Sequence, residues 1–184
     1  GGDKQPGIWW DTYINDVHFI CIDGRYYRTD PKKTKGEPSM LGPAQKRWLL
    51  STIKKSRGTF KVLISPVPWV FKAKGDSRDT WSGFKKERNE IFTFLTENKI
   101  EGVVLMSADR HRSDLWKIDR PDDYALYEFN SSRLTNQHVH KTMEAAIFSY
   151  NAKQSFGTVD FDTTAADPTA TYRIHTIDGE QVFQ

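Results

Sequence analysis

The chain of 184 residues contains one cysteine, Cys21, so it can form neither an internal disulfide nor a cysteine-based metal cluster. Cys21 lies in an apolar run, which favours a buried thiol. No apolar stretch approaches the ~18 residues that a membrane-spanning helix needs, and we recognise no signal peptide. The net charge of +3 comes without a concentrated basic patch, so nucleic acid is not the expected partner.

What the chain does contain is ordinary for a globular protein: 37% hydrophobic and 28% charged residues, with aromatics high at 13%. This length predicts a single domain over residues 1–184 with a sizeable core. The sequence reaches its first strand pattern after a short polar opening with no helix before it. We therefore expect the carboxyl-terminal portion of something longer.

Three short apolar runs predict buried strands at residues 17–23, 60–64 and 102–106. Helical spacing of apolar residues predicts helices at 44–55, which Pro43 opens, and at 84–98. This alternation indicates crossover connections and a sheet covered by helices. The last third predicts short antiparallel strands at 126–130, 145–150, 157–161 and 172–177, with a hairpin turn at 178–179.

The third strand opens into Asp109 and His111, two residues apart. In an extended chain both side chains point to the same side. An oxygen donor beside an imidazole nitrogen suits iron, zinc or manganese. Asp23 and Ser65 also follow strands, and the carboxyl ends of strands are where sites gather in such sheets. The alternative is a solvated surface loop.

Six phrases, in this order and spacing, resemble one family. They are FICIDGRYYR at 19–28, LGPAQKRWL at 41–49, DTWSGFKKER at 79–88, VVLMSADRH at 103–111, LYEFNSSRLTN at 126–136 and FGTVDFD at 156–162. Together they resemble the carboxyl-terminal half of the alkaline phosphatase D family, secreted phosphoesterases of the calcineurin-like metallophosphoesterase superfamily. The resemblance covers nearly the whole chain.

The resemblance implies an α/β fold, namely the carboxyl-terminal part of a four-layer αββα sandwich with antiparallel strands in the last third. It also implies a secreted or periplasmic protein. In this family the motif Gly-Asp-x-His supplies metal ligands, so Asp109 and His111 are the implied metal-binding and catalytic residues, with Ala108 in place of the usual glycine. Two metal ions are implied, iron with calcium or another divalent ion, zinc and manganese being possible. The remaining ligands would come from a missing amino-terminal half.

Two further groups have a functional and a plain interpretation. Asp23, Arg25 and Arg28 would contact the substrate phosphate, since a guanidinium matches phosphate geometry, or would form a salt-bridged strand end. Trp69 and Trp81, with Asp79 between them, would line the mouth of the substrate cleft or pack a long loop.

The pair His138 and His140 resembles a metal pair, but no third ligand stands at a recognised spacing, so a polar loop is favoured. The predicted function is metal-dependent hydrolysis of phosphate mono- or diesters. One rival is a non-catalytic binding or scaffolding fragment that needs a partner chain. Another is a nuclease whose basic loop at 25–36 grips a polyanion.

Overall fold

The computed structural model describes residues 6–135 and 137–184, and for Asp76 the backbone alone. In this part of the chain two helices and eleven strands form. The helices are α1 (Gly42–Lys55) and α2 (Lys85–Glu97), with a short 3-10 helix at Trp81–Gly83. The strands are β1 (Trp10–Ile14), β2 (Val17–Cys21), β3 (Phe60–Ile64), β4 (Ala73–Asp76), β5 (Val103–Ser107), β6 (Ser113–Arg120), β7 (Asp123–Ser131), β8 (Phe148–Tyr150), β9 (Ser155–Asp162), β10 (Thr169–Thr176) and β11 (Gln181–Phe183).

The main sheet has the strand order β1-β2-β3-β5-β7-β6-β8 in the described residues. Strands β2, β3, β5 and β7 run parallel, while β1, β6 and β8 pair antiparallel with their neighbours. Helix α1 crosses over from β2 to β3, and α2 crosses over from β3 to β5. The β2, β3 and β5 sequences are continuous apolar runs because both faces of these strands are covered.

The helices cover one face of this sheet. Leu49 and Ile53 of α1 and Ile91 and Leu95 of α2 are almost fully buried, in one core with Leu63 at the centre of the sheet. The opposite face packs against a second sheet of order β11-β10-β9.

The contact between the two sheets is aromatic and aliphatic. The ring of Phe129 stacks on that of Tyr172 with centroids 4.5 Å apart, and Val62, Val104 and Ile174 share this second core. The result is a mixed α/β sandwich with helices, main sheet and second sheet as its three described layers. The fourth layer stays a prediction.

The sequence missed three strands, β1, β4 and β6, and it placed the end of β2 two residues too late. Strand β6 escapes an apolar pattern because Ser113 and Asp114 occupy fully buried positions in it. The eighth strand is limited to Phe148–Tyr150, inside the predicted 145–150. The hairpin is confirmed: β10 pairs with β11 around Gly179, at φ +83°. No helix in the described residues is long and apolar enough to cross a membrane.

Candidate metal centre and adjoining basic pocket

Asp109 and His111 lie in the connection between β5, which ends at Ser107, and β6, which begins at Ser113. Their φ angles are +72° and +46°, in the left-handed region. The prediction of an extended chain here is therefore wrong, because the backbone must turn sharply to reach β6 and the two-residue spacing no longer sets where the side chains point. Non-glycine residues in this region cost about 1–3 kcal/mol and cluster at functional sites.

Ala108 is not among the described residues with positive φ, so its methyl group does not meet the backbone strain that glycine would relieve. Its carbonyl accepts a hydrogen bond from Asn130 Nδ2 at 2.9 Å, and the same amide group donates to Ser107 Oγ at 2.9 Å. Asn130 lies on β7, the neighbour of β5. This link fixes where the connection leaves the sheet.

Two arginines fix the remainder of the connection to β4. Arg110 Nε and Arg112 Nη2 each donate to the carbonyl oxygen of Ala73 at 3.1 Å. The backbone N–H of Arg110 also donates to Ser132 Oγ at 2.9 Å. His111, between the two arginines, is therefore held from both sides.

His111 lies beside the two histidines that sequence reasoning favoured as a plain loop pair. One ligand atom from each of His111, His138 and His140 lies within 4.8 Å of the others. His111 Nδ1 is 3.0 Å from the carbonyl oxygen of His138, and His140 Nδ1 is 2.8 Å from that of Arg110. Burial is the largest of the influences that lower the pKa of His140. His111 is therefore the third imidazole of this cluster, for which the sequence showed no recognised spacing.

Asp109 faces a different neighbour. Its carboxylate is 3.5 Å from Lys74 Nζ, and Lys74 Nζ is also 3.2 Å from the carboxylate of Asp79. Asp79 in turn pairs with Arg28 at 2.6 Å and with Arg25 at 3.1 Å. Burial raises the pKa of Asp79, but hydrogen bonds from the three cations outweigh it and bring that pKa to about 2.

A pocket of about 550 Å³ opens beside this network. Its lining is rich in cations and comprises Arg25, Arg28, Thr29, Asp30, Pro31, Lys32, Ser77, Arg78 and Asp79. Arg28 Nη1 is buried and has no hydrogen-bond partner among the described residues. A buried guanidinium N–H without an acceptor favours an anionic ligand.

Comparison with known proteins decides the family. The PhoD-like phosphatase family model matches residues 9–174, most of the chain. The chain belongs to the PhoD-like phosphatase family. It is 28% identical over 119 residues to alkaline phosphatase D of Bacillus subtilis (strain 168), a match that covers 55% of this chain and 20% of that protein. The resemblance to the alkaline phosphatase D family, predicted from the six sequence phrases, is confirmed, while the assignment to its carboxyl-terminal half stays a prediction.

Two solved structures share the fold of this PhoD-like chain. The structure of PhoD matches with a TM-score of 0.68 and 16% identity, over 99% of this chain and 45% of that one. GAP50, the anchor in the inner membrane complex of Plasmodium, matches with a TM-score of 0.53 and 13% identity, over 97% of this chain and 54% of that one. The chain thus spans about half the length of these relatives.

Asp23, which the sequence grouped with Arg25 and Arg28 as a substrate contact or a salt-bridged strand end, has a structural task in this PhoD-like chain. Its buried carboxylate accepts hydrogen bonds from the backbone N–H groups of Ile8, Arg25 and Tyr26 at 2.8 to 3.1 Å. Burial by itself raises the pKa of Asp23, but these three hydrogen bonds outweigh that effect, so the pKa lies below its ordinary value. Asp23 shapes the turn that carries Arg25.

The sequence offered the mouth of a substrate cleft as one position for Trp69 and Trp81, but the structure places both side chains in the core. Both are fully buried, and their rings stack with centroids 4.7 Å apart and planes 8° from parallel. Trp81 Nε1 donates to Ser65 Oγ at 3.1 Å. Packing of a long loop, the plain alternative, is what these two indoles do.

Glu128 is a buried acid that sequence reasoning missed. Its carboxylate accepts from the backbone N–H groups of Trp69 and Val70 at 2.9 and 2.8 Å, and from the hydroxyl of Ser107. Burial raises the pKa of Glu128 to about 7 against these hydrogen bonds. It ties β7 to the loop after β3 and, through Ser107, to the end of β5. Only its isolated charge in the strand sequence LYEFN signals it.

Proposed function

We propose that this chain carries part of a dinuclear metal site that hydrolyses phosphate mono- or diesters, and that it is the carboxyl-terminal portion of a larger metallophosphoesterase domain. Asp109 and His111 would hold metal, and Arg25 and Arg28 would bind the phosphoryl group of the substrate. The remaining ligands, and the fourth layer of the sandwich, would come from the amino-terminal half. We also propose, from the family alone, that the complete protein is secreted or periplasmic.

The bridge through Lys74 is the observation that carries this proposal. Its ammonium group contacts both Asp79, in the basic pocket, and Asp109, in the metal motif. The pocket and the motif therefore adjoin each other.

The donor set fits a metal ion. Asp109 supplies a partly exposed carboxylate, and Nδ1 of His111 donates its hydrogen to the carbonyl of His138, so Nε2 is the ring nitrogen that would bind metal. An oxygen and an imidazole nitrogen together suit iron, zinc or manganese, and calcium would need more oxygen ligands than these. Two bound ions would polarise the phosphoryl oxygens and activate water for attack.

The residues of this chain would do the remaining work. The Arg25 and Arg28 guanidinium groups would match the phosphoryl oxygens and balance the charge that builds on them. To do so they must exchange some of their bonds to Asp79 for bonds to the substrate. Lys74 would hold Asp79 in place during that exchange.

The second candidate is a non-catalytic binding or scaffolding fragment. One observation favours it: the same fold occurs in a solved structure described as the anchor in a membrane complex of Plasmodium. Hydrolysis assays separate the two candidates, since the scaffold would turn over no ester.

The test is hydrolysis of p-nitrophenyl phosphate and of bis(p-nitrophenyl) phosphate by the complete protein, with iron, calcium, zinc or manganese added. Asp109→Ala and His111→Ala should each lower turnover, and the affinity of the phosphoesterase centre for metal, by at least about 100-fold, because even the outer-sphere partners of a metal ligand are worth about 10–100-fold. Asp119→Ala and His175→Ala remove an equivalent group elsewhere and should leave turnover unchanged. Full activity in both ligand variants would refute the assignment, and we expect little hydrolysis from the 184 residues alone.

A further inference from the structure

Three imidazoles converge where the β5–β6 connection meets the segment after β7. We propose that His111, His138 and His140 form a three-histidine site for a transition-metal ion of the zinc type. The site shares His111 with the proposed phosphoesterase centre. It needs neither Asp109 nor any residue outside this chain.

The hydrogen bonds around the cluster prepare the rings for a metal. A carbonyl oxygen only accepts, so Nδ1 of His111 and Nδ1 of His140 each carry a hydrogen. In the neutral rings the lone pair is then on Nε2, which becomes the nitrogen for the metal. A bond from the other ring nitrogen to a backbone carbonyl is the usual support of metal-binding histidines.

The same bonds join the two segments reciprocally. His111 donates to the backbone of His138, and His140 donates to the backbone of Arg110. Asn151 Nδ2 holds the carbonyl of His140 at 2.8 Å. These bonds involve five residues from three separate parts of the chain, so the proximity of the rings is a feature of the tertiary structure.

The spacing is close to what a metal requires. Nitrogens around a tetrahedral zinc, with Zn–N bonds of about 2.0–2.1 Å, stand roughly 3.4 Å from one another. One ring nitrogen from each of the three histidines lies within 4.8 Å of the other two, which is about 1.4 Å more than the tetrahedral spacing. His138 is exposed and can rotate, while His111 and His140 are half-buried.

The ligand chemistry selects the ion. Three imidazoles with no carboxylate among them suit zinc, cobalt, nickel or copper, whereas calcium and magnesium require oxygen ligands. Arg110 is the cation next to His111 in the sequence, and its Nε donates a hydrogen bond to the carbonyl of Ala73. Three protein ligands leave a fourth position open, as in catalytic zinc sites.

The experiment is a titration of the 184-residue chain with Zn²⁺ by calorimetry and with Co²⁺ by visible absorption, with Ca²⁺ as competitor. We expect one tightly held ion, a tetrahedral Co²⁺ spectrum and no displacement by Ca²⁺. His140→Ala should weaken binding at least tenfold, and His138→Ala combined with His140→Ala should lose one ion per chain. His175→Ala, the matched loss of an imidazole outside the cluster, should bind as the unsubstituted chain does. Circular dichroism of each variant verifies that it is folded.

The outcomes separate this inference from the proposed function. Equal Zn²⁺ binding by the unsubstituted chain and the double variant, or no binding by either, overturns the three-histidine site. Binding that needs Asp109 but not His138 and His140 also overturns it, while the proposed Asp109–His111 pair stands. If the double variant loses Zn²⁺ binding and Asp109→Ala keeps full turnover, the three-histidine site is supported and the proposed function is refuted.

Discussion

The ammonium group of Lys74 lies 3.5 Å from the carboxylate of Asp109, across the space between β4 and the β5–β6 connection. The same ammonium group is 3.2 Å from Asp79, so one cation serves two acids that belong to different parts of the site. A metal ion on Asp109 would have to share this carboxylate with Lys74 or displace it.

Replacing Lys74 tests that competition. Lys74→Ala removes a positive charge next to the proposed metal ligand, so Mn²⁺ should bind several-fold more tightly at low salt. The gain should shrink as ionic strength rises, because the groups are partly exposed and screened. Titrations at two salt concentrations measure this, and Lys86→Ala is the control because it removes an exposed lysine on α2. Unchanged or weaker metal binding in Lys74→Ala would contradict the competition.

The two arginines of the basic pocket should act on substrate binding. Arg28→Ala and Arg25→Ala should raise KM for a phosphate monoester by about 10–100-fold, the worth of a charged hydrogen bond of ~1.5–3 kcal/mol. Arg28→Lys keeps the charge but loses the planar fork, so its KM should lie between the values of the unsubstituted protein and of Arg28→Ala. Steady-state kinetics of the complete protein supplies the values, with Arg57→Ala as the exposed control. A loss confined to kcat would place these arginines elsewhere in the reaction.

Glu128 should make stability depend on pH. Its carboxyl has a pKa of about 7 in the folded chain and 4.5 as the ordinary value, so between these pH values the folded state keeps a proton that the unfolded state has lost. The resulting stabilisation is complete below pH 4.5 and is lost as pH rises through 7. The change should be on the order of 3 kcal/mol in the free energy of unfolding.

Urea unfolding at pH 4.5, 5.5 and 7.5 measures this slope. Glu128→Gln cannot titrate and should abolish the slope of this window. It should also be less stable, because its amide nitrogen would face a backbone N–H of Trp69 or Val70. Parallel pH profiles for the two proteins would exclude Glu128 as the titrating group.

The buried pair Arg112 and Asp114 should be costly to break. Arg112 Nε donates to both carboxylate oxygens of Asp114, at 2.8 and 2.7 Å, and both side chains are almost fully buried. Asp114→Asn leaves the guanidinium uncompensated and should lower the free energy of unfolding by about 3–5 kcal/mol. Asp119→Asn, at an exposed position of the same strand, should change little. Thermal or urea unfolding compares them, and similar losses would show that burial is not the cause.

Gly102 should tolerate no side chain where β5 begins. Its φ is +67°, and a Cβ there would lie 2.1 Å from the carbonyl oxygen of Thr59. Gly179 has φ +83° with open space around it, so Gly179→Ala isolates the backbone strain of about 1–2 kcal/mol. Gly102→Ala should cost clearly more, about 3 kcal/mol or above, in urea unfolding. Equal losses would mean that the strand shifts to make room.

Local pattern predicts much of the fold. Strands β2, β3 and β5 are continuous apolar runs, and each run by itself predicts a strand that is buried on both faces. Strand β6 is different, because the buried Asp114 depends on Arg112, on Trp116 Nε1 at 3.2 Å and on Ser149 Oγ at 2.6 Å. Those partners include a residue 35 positions away, and no local pattern indicates that such a charge can be buried.

The site shows the same limit. The sequence of residues 108–111 predicts a metal motif. The positive φ angles of Asp109 and His111, however, follow from the turn toward β6 and not from their residue types. His138 and His140 lie 27 and 29 positions after His111, so their meeting depends on the path of the chain beyond β7. The arginine pocket likewise needs Asp79 and Lys74 from a segment that reads as a polar loop.

The carbonyl oxygen of Ala73 holds both arginines that flank His111, and the next residue is Lys74. The position of segment 70–83 is therefore coupled to that of the metal motif. An insertion or deletion before Ala73 would change the orientation of His111 and also move Lys74 away from Asp109. Natural relatives should vary in length freely at the exposed turn between β9 and β10, and hold a constant length between β3 and β4.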